Sequence, residues 1–514
     1  MPRRAKERTL SAIRFGREGW LYLGMVCLLA YFTYLHGYAQ PNGAYWDENY
    51  YIADAQKELN GVFYMQFHPP LGKLLIGLGE MLIDANEYDD QFLGTDHGKD
   101  FPENFSFAGY RFFPVFLGWL SAPLLFLTFF LLTRKHLLAL FLSFLYIFDN
   151  ALIVHSRGAM LDAPMLTFAI LTILLCIIIV TRRWKRLWAL ALLSAAFGCA
   201  FALVITTKMQ GAYLFLLFPA AALRFVKDWR RLLTLFCASS LGFLVIFVAV
   251  WQIHFSLGST INPELSNEGY YRASQEYKTI LQEGRNRSLA AFPVMLTAAL
   301  KFIPQYNQGI PDLDMCKWDE NGSPVWWWPL GGKCINYRWA TNDNVHYQYL
   351  TLVPNVAVWF ISLVTIIIGS VFTIVTMFSA VVRRRKPRAN RLFIALFLLI
   401  IFAFMGHLSL MTRVLFLPTY FLPLIVSFFI AALLLNEYIE RKKRRLSDHT
   451  LILAFMFIAS CIVLSYQFFR PLTYYEPLTD KQVTARNLFP WWDVHCAQCE
   501  RGAFWCPLSE IHSP

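Results

Sequence analysis

Apolar residues in this chain collect into long runs, and the polar residues gather between the runs rather than alternating through them. Eleven such runs fall at approximately 20–38, 109–132, 137–154, 160–181, 187–206, 211–226, 232–254, 352–381, 392–409, 414–435 and 449–467. Most have the roughly 20 residues that a helix needs to cross a hydrocarbon core of about 30 Å. The pattern predicts an all-α integral membrane protein of about 11 transmembrane helices, with its loops on two sides of the bilayer. The first run follows a basic leader (Arg3, Arg4, Lys6, Arg8) but lacks a small-x-small cleavage site, so an uncleaved anchor is expected.

Composition agrees with the pattern. Hydrophobic residues make up 57% of the 514 and charged residues only 16%, against about 25% charged in soluble proteins. The net charge of +12 has to be placed relative to the membrane before it is read. With the N-terminus in the cytoplasm, segments 1–19, 134–135, 182–186, 224–231, 383–391 and 441–445 all face inward, and they hold 27 of the 46 Lys and Arg. That bias orients a polytopic protein. It makes the positive charge a cytoplasmic anchor rather than a nucleic-acid footprint. The expected location is the cell's inner (plasma) membrane, with the C-terminus and the working face outside.

Three outer regions are then large: 39–108, 255–351 and 468–514. The expected organisation is a membrane unit over 1–467 and a cysteine-bearing outer tail over 468–514. Cys27, Cys176, Cys199, Cys237 and Cys461 fall in the runs. Cys316, Cys334, Cys496, Cys499 and Cys506 fall outside, where oxidation is permitted. Cys316 and Cys334 flank the Trp326–Trp328 segment and are expected to be bridged or close in space. Cys496-x-x-Cys499 lacks a second pair at zinc spacing, so a disulfide is the better reading.

Candidate chemistry concentrates at the outer edges of the runs. Asp47 and Glu48 follow the first run by about ten residues, near the membrane surface, where a carboxylate can act as a general base on a hydroxyl. His68-Pro-Pro-Leu-Gly-Lys73 opens a short apolar stretch that reads as an interfacial helix, with His68 and Lys73 at headgroup depth and Lys73 within reach of a phosphate. Arg111, Asp149, Arg157, Asp162, Lys208, His254 and Arg413 sit within or beside runs, where charge is expensive and tends to have a task. Arg111, Arg157, Lys208 and Arg413 are expected to surround one anionic headgroup. For each, the competing reading is an ion pair with Asp149 or Asp162 that holds the bundle together.

These residues, in this order, resemble the protein O-mannosyltransferase family of the GT-C class of membrane glycosyltransferases. The resemblance is carried by Asp47-Glu48, the His68–Lys73 element, Tyr110-Arg111-Phe-Phe-Pro114, Asp149-Asn150 through Ser156-Arg157 to Asp162, Thr206-Thr207-Lys208, His254-Phe255 and Arg413-Val-Leu-Phe-Leu. It implies a GT-C bundle, a polyprenyl- or dolichyl-phosphate mannose donor, a protein Ser/Thr hydroxyl as acceptor, and inversion at the anomeric carbon. It also implies Asp47 as the base, Glu48 as an orienting group, and Arg111, Arg157 and Lys208 on the lipid-phosphate side. No metal ligand cluster is visible, so neither metal nor cofactor is expected, and protein cations would carry the charge. The loop 255–351 is too short for the trefoil MIR domain of eukaryotic members, which points to a bacterial-type member. Leu417-Pro418-Thr419-Tyr420 stands where many members have a Tyr-His-Tyr run, and the tail 468–514 has no recognised counterpart. The alternative is a GT-C transfer to a lipid or envelope glycan, as in aminoarabinose transferases. A transporter is disfavoured, because no repeated half is evident.

Overall fold

The computed structural model describes residues 15–65, 67–261, 269–384, 388–442, 448–494, 496 and 502–511. The basic leader and Cys499 therefore lie outside the described residues. The chain runs α1 (Arg17–Ala30, continued by a π-helical turn Tyr31–Leu35), α2 (Glu48–Leu59), α3 (Leu71–Ile83), α4 (Ala108–Thr133), α5 (His136–Ile147), α6 (Asn150–Ser156), α7 (Asp162–Thr181) and α8 (Leu187–Thr207). After a 3-10 segment, Met209–Leu216, come α9 (Leu217–Leu223), α10 (Trp229–Leu257), α11 (Gln275–Gln282), α12 (Phe292–Gln308), strands β1 (Ile335–Thr341) and β2 (Tyr347–Leu352), α13 (Val356–Val382), α14 (Ala389–Leu408), α15 (Phe421–Lys442), α16 (Asp448–Thr473), β3 (Pro477–Leu478) and α17 (Asp480–Thr484).

Among the described residues, nine helices are long and apolar enough to cross a membrane, and α5 with α6 makes a tenth if the bent pair is one span. The protein is a multi-pass membrane protein. The run at 211–226 differs from a standard span: it folds as the 3-10 segment followed by α9. A 3-10 turn rises about 2.0 Å per residue against 1.5 Å in an α-helix, so these fifteen residues reach roughly 26 Å. Among the described residues the count is therefore nine or ten spans, roughly the expected eleven, with the run at 211–226 a shorter apolar helix.

The break between α5 and α6 bends by 63°, and a polar knot explains why the membrane tolerates it. Asp149 caps α6 by accepting from Leu152 N at 2.8 Å, and it also accepts from the Trp359 indole at 2.9 Å. Asn355 donates to the Phe148 and Ile462 carbonyls, while Asn150 donates to Thr473. Freed backbone groups inside lipid must find such partners. Elsewhere, small residues bring helices together. A side chain at Gly198 would meet the Ser239 carbonyl of α10, and one at Gly242 would meet the Ala195 carbonyl of α8. Backbone contact of this kind drives helix association where no hydrophobic effect operates.

α3 is too short to cross, at roughly 20 Å. It buries Lys73, Ile76 and Glu80 while exposing Met81 and Leu82. Outside the bundle lies a small antiparallel sheet of order β1-β2-β3, to which the tail contributes β3. The ladder registers Asn336 with Thr351 and Arg338 with Leu350, which leaves Tyr337 at a bulge.

The expected Cys316–Cys334 bridge is not formed. Cys316 pairs with Cys506 from the tail, with α-carbons 5.2 Å apart. Cys334 is a buried free thiol, held in the sheet by its N–H bond to the Trp492 carbonyl. Packing under Trp492 turns Cys334 inward, away from the loop that carries Cys316. Cys496 is also disulfide-bonded.

Candidate active site

Asp47 and Glu48 are neighbours in sequence with opposite surroundings. Glu48 begins α2 and is fully buried. Its carboxylate accepts from Arg111 Nε at 2.7 Å and a terminal Arg111 nitrogen at 2.8 Å, and from the backbone N–H groups of Tyr45 and Ala159. Arg111 spends its remaining donors on the carbonyls of Ala39, Pro41 and Gly43, and its plane lies over the Tyr45 and Phe107 rings. One ion pair from α4 therefore fixes the whole loop 39–48. All of the Arg111 N–H groups are consumed inside the protein, so none remains for a donor phosphate.

Arg157 works in the same way at the end of the first span. It donates to the carbonyls of Tyr34, His36 and Gly37 and lies over the Tyr474 ring. The four cations expected around one anion thus divide into two pairs. Arg111 clamps the loop that carries Asp47, and Arg157 clamps the end of the first span that leads into it. Lys208 and Arg413 lie close enough to His68 for both charges to depress its pKa.

Asp47 is half-buried, and its Oδ2 lies 3.4 Å from the Tyr51 hydroxyl. Burial raises its pKa above the ordinary carboxylate value; Lys208 and His155 pull it back and Asp162 pushes it up. Asp47 is therefore in electrostatic range of all three. Lys208 Nζ lies 2.8 and 3.0 Å from the two Asp162 oxygens. Asp162 also bonds His155 Nε2 at 2.9 Å, and His155 Nδ1 meets the Tyr337 hydroxyl at 2.6 Å. Burial holds the Tyr337 phenol well above its usual value, so it keeps its proton. With the phenol donating to Nδ1, the ring's Nε2–H is directed at Asp162. The Tyr337 ring stacks on Trp46 at 5.0 Å and on Tyr45 at 5.9 Å. A bulge is a recognised means of re-aiming a side chain beside a site, and here it turns Tyr337 onto the Asp47 loop.

The remaining expected residues fall into place around this centre. His68 lies against Phe67 and near Tyr51. Burial, Lys208, Lys73 and Arg413 hold its imidazole well below 6.5, with Asp162 opposing, so it is neutral near pH 7. Lys73 is not at an open headgroup edge as expected. It is fully buried, with Nζ 3.5 Å from Asp54 and near the faces of Tyr51 and Phe67. Burial pushes it down to about 8 against the pull of Asp54 and Glu58. His254 bonds Glu58, which also accepts from Tyr64, so it ties α10 to the far half of α2. Every named bond of Asp149 belongs to the α5–α6 break, so Asp149 holds the bundle there. Arg413 is half-buried, on a segment bridged to Asp312.

Sequence reasoning passed over His155, Tyr337 and Tyr51. His155 carried a usable signal, since it is a histidine at the outer end of a run, seven residues before Asp162. Tyr337 carried none, because its position depends on a bulge.

A family profile described as dolichyl-phosphate-mannose-protein mannosyltransferase matches residues 24–258. A second, described as the C-terminal four-transmembrane region of protein O-mannosyltransferase, matches residues 300–492. Protein O-mannosyl-transferase 2 of Drosophila melanogaster is 34% identical over 149 residues, covering 29% of this chain and 19% of that protein. Its zebrafish (Danio rerio) counterpart is 27% identical over 288 residues, covering 53% and 37%. The chain thus spans about a fifth to about a third of the length of these curated relatives. Among solved structures, a chain of the Saccharomyces cerevisiae protein O-mannosyltransferase Pmt1-Pmt2 complex bound to the sugar donor superposes with a TM-score of 0.78, at 15% identity and 94% coverage of both chains. That likeness establishes the fold.

Removing the clamp should be costly, because breaking a buried pair strands a charge and typically loses about 3–5 kcal/mol. Arg111→Met should therefore lower the apparent unfolding temperature of the detergent-solubilised protein well below that of an exposed control, Lys99→Met. Equal melting of the two variants would show that the clamp does not hold the loop.

Proposed function

Because this chain belongs to the protein O-mannosyltransferase family, we propose that it moves mannose from a polyprenyl-phosphate donor to Ser or Thr hydroxyls of proteins, with inversion. The observation that carries this reading is the contrast between Asp47 and the other acids around it. Asp47 is the carboxylate there with a raised pKa and no ion-pair partner named among the described residues. Lys208 stands near it, and Lys208 and Arg413 both lie near the neutral His68.

In this reading the donor's phosphate rests on Lys208 and Arg413. A carboxylate beside that phosphate would repel it, so Asp47 serves the opposite face of the sugar, by the incoming hydroxyl. The acceptor oxygen attacks the anomeric carbon, the bond from that carbon to the phosphate oxygen breaks, and the acceptor proton passes to Asp47. Preorganised cations stabilise the charge gathering on the departing phosphate, usually a large part of catalysis. Glu48, saturated by four donors, orients the loop and takes no proton. The Tyr337–His155–Asp162 chain holds Lys208 in place. The acting face and the C-terminus lie outside the cell membrane, with the N-terminus in the cytoplasm, as the Lys/Arg segregation supports.

Purified protein, given polyprenyl-phosphate mannose and Ser/Thr peptides, should yield a peptide one hexose heavier, with anomeric configuration opposite to the donor's. Product appearing only on lipid acceptors would reject the protein-acceptor reading. In the same assay the rate should climb as pH rises through a pKa above the ordinary Asp value of 3.8, because the base must be ionised; a flat profile across that range would contradict it. Reporter fusions within 224–228 should read cytoplasmic, and those at 95 and 320 external. The reverse pattern would overturn the orientation.

A further inference from the structure

An apolar cavity lies far from Asp47. It opens between α5, α13, α15 and α16 with a volume of about 460 Å³, and its walls include Leu142, Leu145, Phe360, Ile368, Leu434 and Phe455. One end is polar, formed by Glu437, Tyr438 and Arg441. α15 enters the bundle just after Phe416, which packs on Trp46 of the Asp47 loop, and leaves at Lys442. The polar end is therefore at the opposite end of the bundle from the candidate active site. From Ala431 to Arg441 the wall runs roughly 15 Å at 1.5 Å per residue.

The charge at this end is unbalanced. Glu437 accepts from Arg391 at 2.8 Å and from Arg441 at 2.8 Å. Both guanidinium groups also lie over one ring, Phe372, at 5.5 and 5.6 Å. Among the described residues, Arg391 and Arg441 share the one Glu437 carboxylate, so this trio carries one net positive charge at the mouth of an apolar groove. Arg391 Nε is buried and has no acceptor among the described residues.

We propose that this groove is a binding site for one anionic phospholipid, with an acyl chain along the apolar wall and the phosphate on Arg391 and Arg441. The apolar wall suits a hydrocarbon chain, and the residual charge selects a headgroup with net negative charge over a zwitterion. The end of a polyprenyl chain carries no charge and would leave the arginines unanswered. A helix of a second copy would have to bring an acid to the same spot. The site is independent of the transfer reaction proposed above.

The test uses the full chain, delipidated in mild detergent and titrated with either dioleoylphosphatidylglycerol or dioleoylphosphatidylcholine, with bound lipid counted by native mass spectrometry. The wild type should take up the first phosphatidylglycerol in clear preference to phosphatidylcholine. Arg441→Gln, at a half-exposed position where folding is undemanding, should cut that preference about fivefold. Ala459→Phe, which fills the groove, should abolish the first binding event for both lipids. Equal uptake of the two lipids by wild type, or an unchanged preference in Arg441→Gln, overturns the proposal. So does a groove-dependent dimer that carries no lipid. If Ala459→Phe does not fold, the Arg441 comparison decides alone.

Discussion

The buried pair between Arg111 and Glu48 is the constraint on which the site depends. Burying both charges is expensive, and the cost is recovered only when every donor and acceptor is matched. Here they are. Two Arg111 nitrogens meet Glu48, three loop carbonyls take the remaining donors, and Tyr45 N and Ala159 N complete the carboxylate. A loop without regular structure thereby acquires one conformation, anchored to α4 on one side and to the start of α7 on the other. Asp47 inherits its position as the residue just before Glu48. It turns outward from the clamp because its neighbour turns inward.

The same economy governs the other charges. Asp162 is shared between His155 and Lys208, and both of its oxygens hold the lysine in place. Arg157 closes the end of the first span through backbone carbonyls alone. Lys73 supports α2 from beneath through Asp54. Most of the buried charges named above are spent on partners inside the protein, whereas Lys208 lies in electrostatic range of both Asp47 and His68. In the proposed reaction, that separation of structural from available charge would let a donor phosphate and a general base coexist.

Much of the fold was legible in the pattern of apolar runs. Nine or ten of the eleven expected spans are present among the described residues, and the run at 211–226 is a shorter apolar segment whose 3-10 geometry could not be read from composition. The Asp47-Glu48 pair was legible as a candidate site, and so was the list of membrane-edge charges. Their partners were not. Arg111 and Arg157 read as cations awaiting an anion, because a sequence does not display the carbonyls that satisfy them. Asp149 read as part of the site for the same reason, whereas it caps a helix across the α5–α6 break. Tyr337 was invisible because a bulge, not a spacing, aims it. The Cys316 pairing failed because proximity in sequence to Cys334 was outweighed by the tail folding back with Cys506.

The account stands or falls on the division of labour between the two neighbouring carboxylates. The most direct measurement is single-turnover transfer by Asp47→Asn beside its equilibrium binding of polyprenyl-phosphate mannose. The substitution keeps shape and removes basicity. It should leave donor affinity unchanged while slowing transfer by about a hundredfold to ten-thousandfold. Transfer at near the normal rate with normal donor binding would show that Asp47 is not the base.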